Sequence, residues 1–161
     1  MKSLVVLGLW VTTFSGCASD PAQIAGDYTV GVTNRDNGCN FPNWTVGAMT
    51  AGVDVKIAES GSSVTADVTG GTGAVLDFAF GSSAFTGTID GNQMSLTLEG
   101  TRVQQTGTCT YTYNGQIIAT ANGDTMTGRI NYTPATNGNS DCAAVSGCLT
   151  YQEFNGSRPP Q

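Results

Sequence analysis

Apolar and polar residues alternate with period two along most of the chain. Tyr28, Val30 and Val32 are interleaved with Asp27, Thr29, Gly31 and Thr33, and Val53, Val55 and Ile57 with Asp54 and Lys56. Val64, Ala66 and Val68 repeat the pattern, as do Phe85-Gly87-Ile89, Met94-Leu96-Leu98 and Met126-Gly128-Ile130-Tyr132. Longer strands are predicted from about residue 109 to 120 and from about 148 to 157. Such alternation sends successive side chains to opposite faces of a strand, so each segment has one apolar and one polar face. No long amphipathic helix is visible. The pattern predicts an all-β protein.

The connections are of two kinds. Asp90-Gly91-Asn92-Gln93-Met94-Ser95 is echoed by Asn122-Gly123-Asp124-Thr125-Met126-Thr127, and more loosely by Ser60-Gly61-Ser62-Ser63-Val64-Thr65. Each is a turn of the Asp-Gly or Asn-Gly kind opening an alternating strand, hence a tight hairpin. Residues 34–52, 70–83, 100–108 and 134–147 are longer connections. Residues 74–80 read as a short strand or as a helical turn. Counting eight strands makes the last antiparallel to the first, so that an up-and-down meander closes into a barrel. A ninth would put the first and last strands parallel. With eight, the tight turns gather at one end and the long connections at the other, and Cys39, Cys109, Cys142 and Cys148 all fall at the loop end.

That topology suggests the disulfide pairing. Cys39 follows the first strand and Cys148 opens the last, which become neighbours on closure. Cys109 opens the sixth strand and Cys142 follows the seventh. The expected bridges are Cys39–Cys148 and Cys109–Cys142, with Cys142–Cys148 plus Cys39–Cys109 as the rival pairing.

The fifth cysteine, Cys17, has a different setting. Met1-Lys2-Ser3 precedes a short, mostly apolar run at residues 4–14 and then Ser15-Gly16-Cys17. This is a secretory signal pattern too short to span a bilayer. Phe14-Ser15-Gly16-Cys17 resembles the lipobox of bacterial lipoproteins. That resemblance implies cleavage before Cys17 and attachment of diacylglycerol and N-acyl chains to it, which hold a membrane where a single chain would not. Ala18 after the cysteine implies, by the same resemblance, an outer-membrane, lipid-anchored location. The expected organisation is a signal peptide at 1–16, a lipidated tether at 17–25, a barrel at 26–158 and a tail at 159–161. The loop end would then project away from the membrane.

Gly26-Asp27-Tyr28 near the start of the first strand and Arg158 after the last are similar to a pattern of the calycin group, which includes lipocalins. There a Gly-x-Trp tryptophan packs against an arginine at the closed end of an eight-stranded antiparallel barrel. The resemblance implies that Tyr28 and Arg158 stack at the tight end as a cation–π pair.

Composition narrows the chemistry. The 161-residue chain has no His, so Ser-His triads, Cys-His dyads and His-ligated metals are excluded. A formal charge of −6 disfavours nucleic acid and anionic membrane surfaces. Calcium is conceivable at Asn34-Arg35-Asp36-Asn37-Gly38 or Asn137-Gly138-Asn139-Ser140-Asp141, but these lack the spacing of a full calcium loop, and Asx turns explain them equally well. No catalytic set, cofactor or metal site is expected. The loop end gathers Phe41, Trp44, Met49, Leu76, Phe78, Phe80 and Arg102, a candidate ligand mouth that reads equally as an aromatic plug. The expected function is a non-enzymatic, membrane-anchored lipoprotein binding a small apolar molecule, a lipid or a glycan at that end. The alternatives are a protein-binding module, such as a protease or lysozyme inhibitor, and a structural envelope component without a ligand.

Overall fold

The structure is a computed structural model and describes residues 22–160. The signal pattern, Phe14-Ser15-Gly16-Cys17 and the first part of the tether lie outside the described residues. Strands β1 (Gly26–Asn37), β2 (Met49–Ser60), β3 (Ser63–Val68), β4 (Ala84–Asp90) and β5 (Gln93–Leu98) form an antiparallel meander. A three-residue strand, β6 (Gln104–Thr106), pairs with β7 (Cys109–Asn122). The meander continues through β8 (Thr125–Thr136) to β9 (Thr150–Ser157). β9 pairs antiparallel with β1, and β5 pairs with β7. These pairings close an eight-stranded antiparallel barrel, with β6 as a short flap outside the ring. Residues 74–80 are not a barrel strand: they belong to helix α1 (Gly70–Phe80), which connects β3 to β4.

The predicted alternation points the apolar set inward. Val64, Phe85, Ile89, Leu96, Leu98 and Ile117 are buried in one continuous core, while their Thr, Ser and Gln neighbours face out. Gly115 leaves room for the Phe85 ring, because a Cβ there would lie only 2.8 Å from it. The tight turns are centred one residue later than an Asp-Gly or Asn-Gly centre would put them. Ser60 pairs with Ser63, Asp90 with Gln93 and Asn122 with Thr125. The glycine therefore takes the first of two loop positions, at φ values of 60°, 57° and 60° for Gly61, Gly91 and Gly123. Glycine first is the arrangement of a II′ hairpin turn, whose twist matches the flanking strands. In β1–β2, one residue between Val30 and Val32 opposes two between Thr50 and Val53, where Gly52 has φ 72°. This bulge resets the facing of β2, and beyond it Met49 lies opposite Thr33 with its side chain exposed.

The chain ahead of β1 is part of the packing. Ile24 is fully buried under the tight end. Its N–H donates to Glu59 Oε2 at 2.8 Å, and the Ala22 N–H donates to the Gly91 carbonyl at 2.8 Å. Residues 22–25 thus form a strap across that end.

Both disulfides sit at the opposite end and join Cys39 to Cys148 and Cys109 to Cys142. This is the pairing expected from strand adjacency, and the rival Cys142–Cys148 bridge does not form. Each bridge ties loops flanking neighbouring strands.

Candidate functional site

The loop end is built from four connections. In the first, residues 38–48, Asn37 holds the chain from both sides. Its Nδ2 donates to the Phe41 carbonyl at 2.9 Å, and its Oδ1 accepts from the Phe41 N–H at 2.7 Å. Asn40 and Asn43 adopt left-handed φ of 55° and 58°, a conformation Asn tolerates better than most residues. The Trp44 indole Nε1 donates to the Arg35 carbonyl at 2.8 Å. These bonds turn Phe41 and Trp44 back over the barrel.

The two rings meet Tyr132, a buried β8 residue at the top of the core. Phe41 lies 5.8 Å and Trp44 6.5 Å from its centroid, both edge-on. Phe80, at the end of α1, stacks on it at 5.3 Å, and Phe41 also meets Tyr113 edge-on at 4.7 Å. Offset and edge-to-face contacts at these spacings are favourable beyond their buried area. The Tyr132 hydroxyl donates to Gln152 Oε1 at 2.8 Å, and Gln152 Nε2 donates to Asn34 Oδ1 at 2.7 Å. Gln152 therefore faces inward as a hydrogen-bonded, half-buried polar group. Burial pushes the Tyr132 hydroxyl well above the usual tyrosine range, and burial also raises Tyr113.

The seven residues of the predicted mouth thus divide. Phe41, Trp44 and Phe80 pack in the aromatic cluster, and Leu76 packs against the core beside them. Met49, Phe78 and Arg102 lie at the surface. Phe78 is 79% exposed, and the Arg102 guanidinium stands 5.8 Å from its ring centroid. Below Trp44 is the Tyr132 ring. Among the described residues, six of the seven large apolar side chains that stay exposed belong to this end: Val46, Met49, Val75, Phe78, Val103 and Leu149, with Ile118 on the wall as the other.

Beside the Cys109–Cys142 bridge, Asp141 Oδ2 accepts from both the Thr108 N–H, at 2.8 Å, and its hydroxyl, at 2.7 Å. These two hydrogen bonds hold the Asp141 carboxyl below the ordinary aspartate range. Asn139 Oδ1 accepts from the Asp141 N–H at 3.1 Å and caps the 3-10 turn Ser140–Ala144. The predicted Asx-turn segment is a loop clamp of this kind.

At the tight end the Arg158 guanidinium lies 5.6 Å from the Tyr28 ring centroid. It also pairs with Asp124 at 3.0 Å and donates to the Gln23 and Ala25 carbonyls. Arg158 thus joins β8–β9, β1 and the strap. Burial raises the Tyr28 hydroxyl, with the nearby Arg158 charge opposing.

The strap and the β6 flap carry no signal in the sequence. Residues 22–25 hold a single large apolar side chain, Ile24, and residues 104–106 have no apolar alternation. No protein-family model, no curated protein and no solved structure matches the chain significantly.

Proposed function

We propose that this chain is a non-enzymatic, lipid-anchored binding protein with a lipocalin-like barrel, held at the outer membrane through Cys17, whose binding surface is the exterior of the loop end. The observation that carries the reading is the gathering at that end of six of the seven large apolar side chains that are exposed among the described residues. Exposed apolar residues concentrated in one region are a common mark of a recognition surface. The lipobox-like Phe14-Ser15-Gly16-Cys17 and the Tyr28–Arg158 contact support the anchor and the lipocalin-like kinship respectively. The strap supports this orientation, because residues 22–25, a few positions after Cys17 in the sequence, are held at the tight end, opposite the loops.

Within this reading the ligand meets the outside of the loops and not the lumen, because Phe41, Phe80 and Tyr132 pack together across the mouth. This favours a protein-binding module over a carrier of a small apolar molecule or glycan. Two measurements test it. Nile red, a neutral apolar dye, should brighten with the wild-type protein and respond much less to Phe78→Ser at unchanged thermal stability. An unchanged dye response would remove the loop-end surface. Cys17→Ala should move the protein from the membrane to the soluble fraction, and retention in the membrane would remove the anchor.

A further inference from the structure

We infer that the loop-end partner is a protein surface that is cationic around an apolar centre, and that it docks on α1 and residues 99–103. This rests on the loop-end reading above and names its partner.

α1 is apolar on two sides. Gly73 and Phe80 are buried and Leu76 packs on the core, while Val75 and Phe78 are 64% and 79% exposed. A helix that is apolar all round belongs in an interior, and in the single chain one side of this helix is uncovered. Residues 99–103 extend that side. The Thr101 and Arg102 N–H groups donate to the Phe80 carbonyl at 2.7 and 3.2 Å, which fixes the segment beside the helix end. It contributes Val103, 69% exposed, and Arg102 over Phe78.

The rim of this patch is acidic. Asp77 lies on the helix and Glu99 opens the adjoining segment, both exposed. Among the described residues neither has a cation within salt-bridge distance; the two ion pairs use Glu153, with Arg35, and Asp124, with Arg158. An apolar centre edged by these two carboxylates, which outnumber the Arg102 held over Phe78, complements lysines or arginines surrounding apolar side chains. A second copy of the chain would oppose like rims and a formal charge of −6 on each side, which disfavours self-pairing through this face.

The test uses the disulfide-bonded protein and two short amphipathic peptides, one of leucines and lysines, the other with glutamates replacing the lysines. The Leu/Lys peptide should bind and the Leu/Glu peptide should not. Binding should weaken about tenfold in Asp77→Lys/Glu99→Lys and about tenfold or more in Phe78→Ser, and it should fall with added salt. Equal binding of both peptides, or no effect of the charge reversal, overturns the cationic partner. In that case a Nile red response still lost in Phe78→Ser leaves the loop-end reading standing, whereas a response kept in Phe78→Ser removes both. Concentration-dependent self-association in sedimentation velocity that disappears in Phe78→Ser would assign the face to a second copy and likewise overturn the inference.

Discussion

The two ends of the barrel are closed by different physics. At the tight end the strands join through two-residue turns, and one arginine collects the loose chain: Arg158 bonds to Asp124, Gln23 and Ala25 while lying over Tyr28. At the loop end the connections are long, ordering them costs more conformational entropy, and two disulfides and an aromatic cluster supply the order. The short-turned end leaves little chain for function. The long-looped end can carry a surface, because its fold does not depend on every loop side chain. Val75 and Phe78 are free to face outward while Leu76 and Phe80, on the same helix, hold the core.

The comparison can be broken at either end. The largest effect is expected from the Cys39–Cys148 bridge. Its span of 109 residues corresponds to about 5 kcal/mol of loop-closure stabilisation, against about 4 kcal/mol for the 33-residue Cys109–Cys142 span. Replacing each cysteine pair by serine and comparing urea midpoints should show the first loss exceeding the second; the reverse order would mean that the bridges act through native-state packing rather than the unfolded chain.

Next comes the strap. Ile24→Ala removes a fully buried side chain and should cost about 2–5 kcal/mol. A loss under about 0.5 kcal/mol in thermal unfolding would show that the strap is not part of the tight end.

Tyr132→Phe keeps the ring and deletes the hydroxyl that donates to Gln152. Leaving Gln152 Oε1 unpaired in the core should cost about 1–3 kcal/mol. The raised pKa carries a sign as well. A group whose folded pKa lies above its unfolded value contributes stability that is present below about pH 10 and is lost as pH rises beyond it. Tyr132→Phe should therefore reduce the steepness of alkaline unfolding.

The smallest effect is at Asp141, an exposed carboxylate. Its folded pKa is lowered, so its contribution is present above the unfolded aspartate pKa of about 4 and is lost as pH falls through the lower folded value. Exchange protection of the Thr108 amide should fall in acid over that window, and Asp141→Asn should remove the pH dependence.

What could be read from the chain follows the same division. Period-two alternation marked the barrel strands because each has one face in the core and one in water. Strand parity then placed the cysteines, and neighbouring strands dictated their pairing. The helix was harder. Gly-Gly-Thr-Gly-Ala-Val-Leu-Asp-Phe-Ala-Phe has no polar face, so neither strand nor helix periodicity stands out, and its two apolar sides answer to different neighbours. Ile24 was hidden because a lone apolar residue has no period. The mouth residues were gathered correctly at one end, but residue type alone could not say which rings turn inward. Hydrogen bonds from Asn37 and from the Trp44 indole decide that, and they depend on loop geometry.

The central claim is that recognition takes place on the outside of the loop end and not in the lumen. NMR shift mapping of the isotope-labelled protein during a Nile red titration tests this most directly. Shifts should be confined to residues 74–79 and 101–103, with the inward Leu96 and Ile117 unmoved. Shifts centred on Leu96, Ile117 and Tyr132, with the outer face of α1 silent, would contradict it.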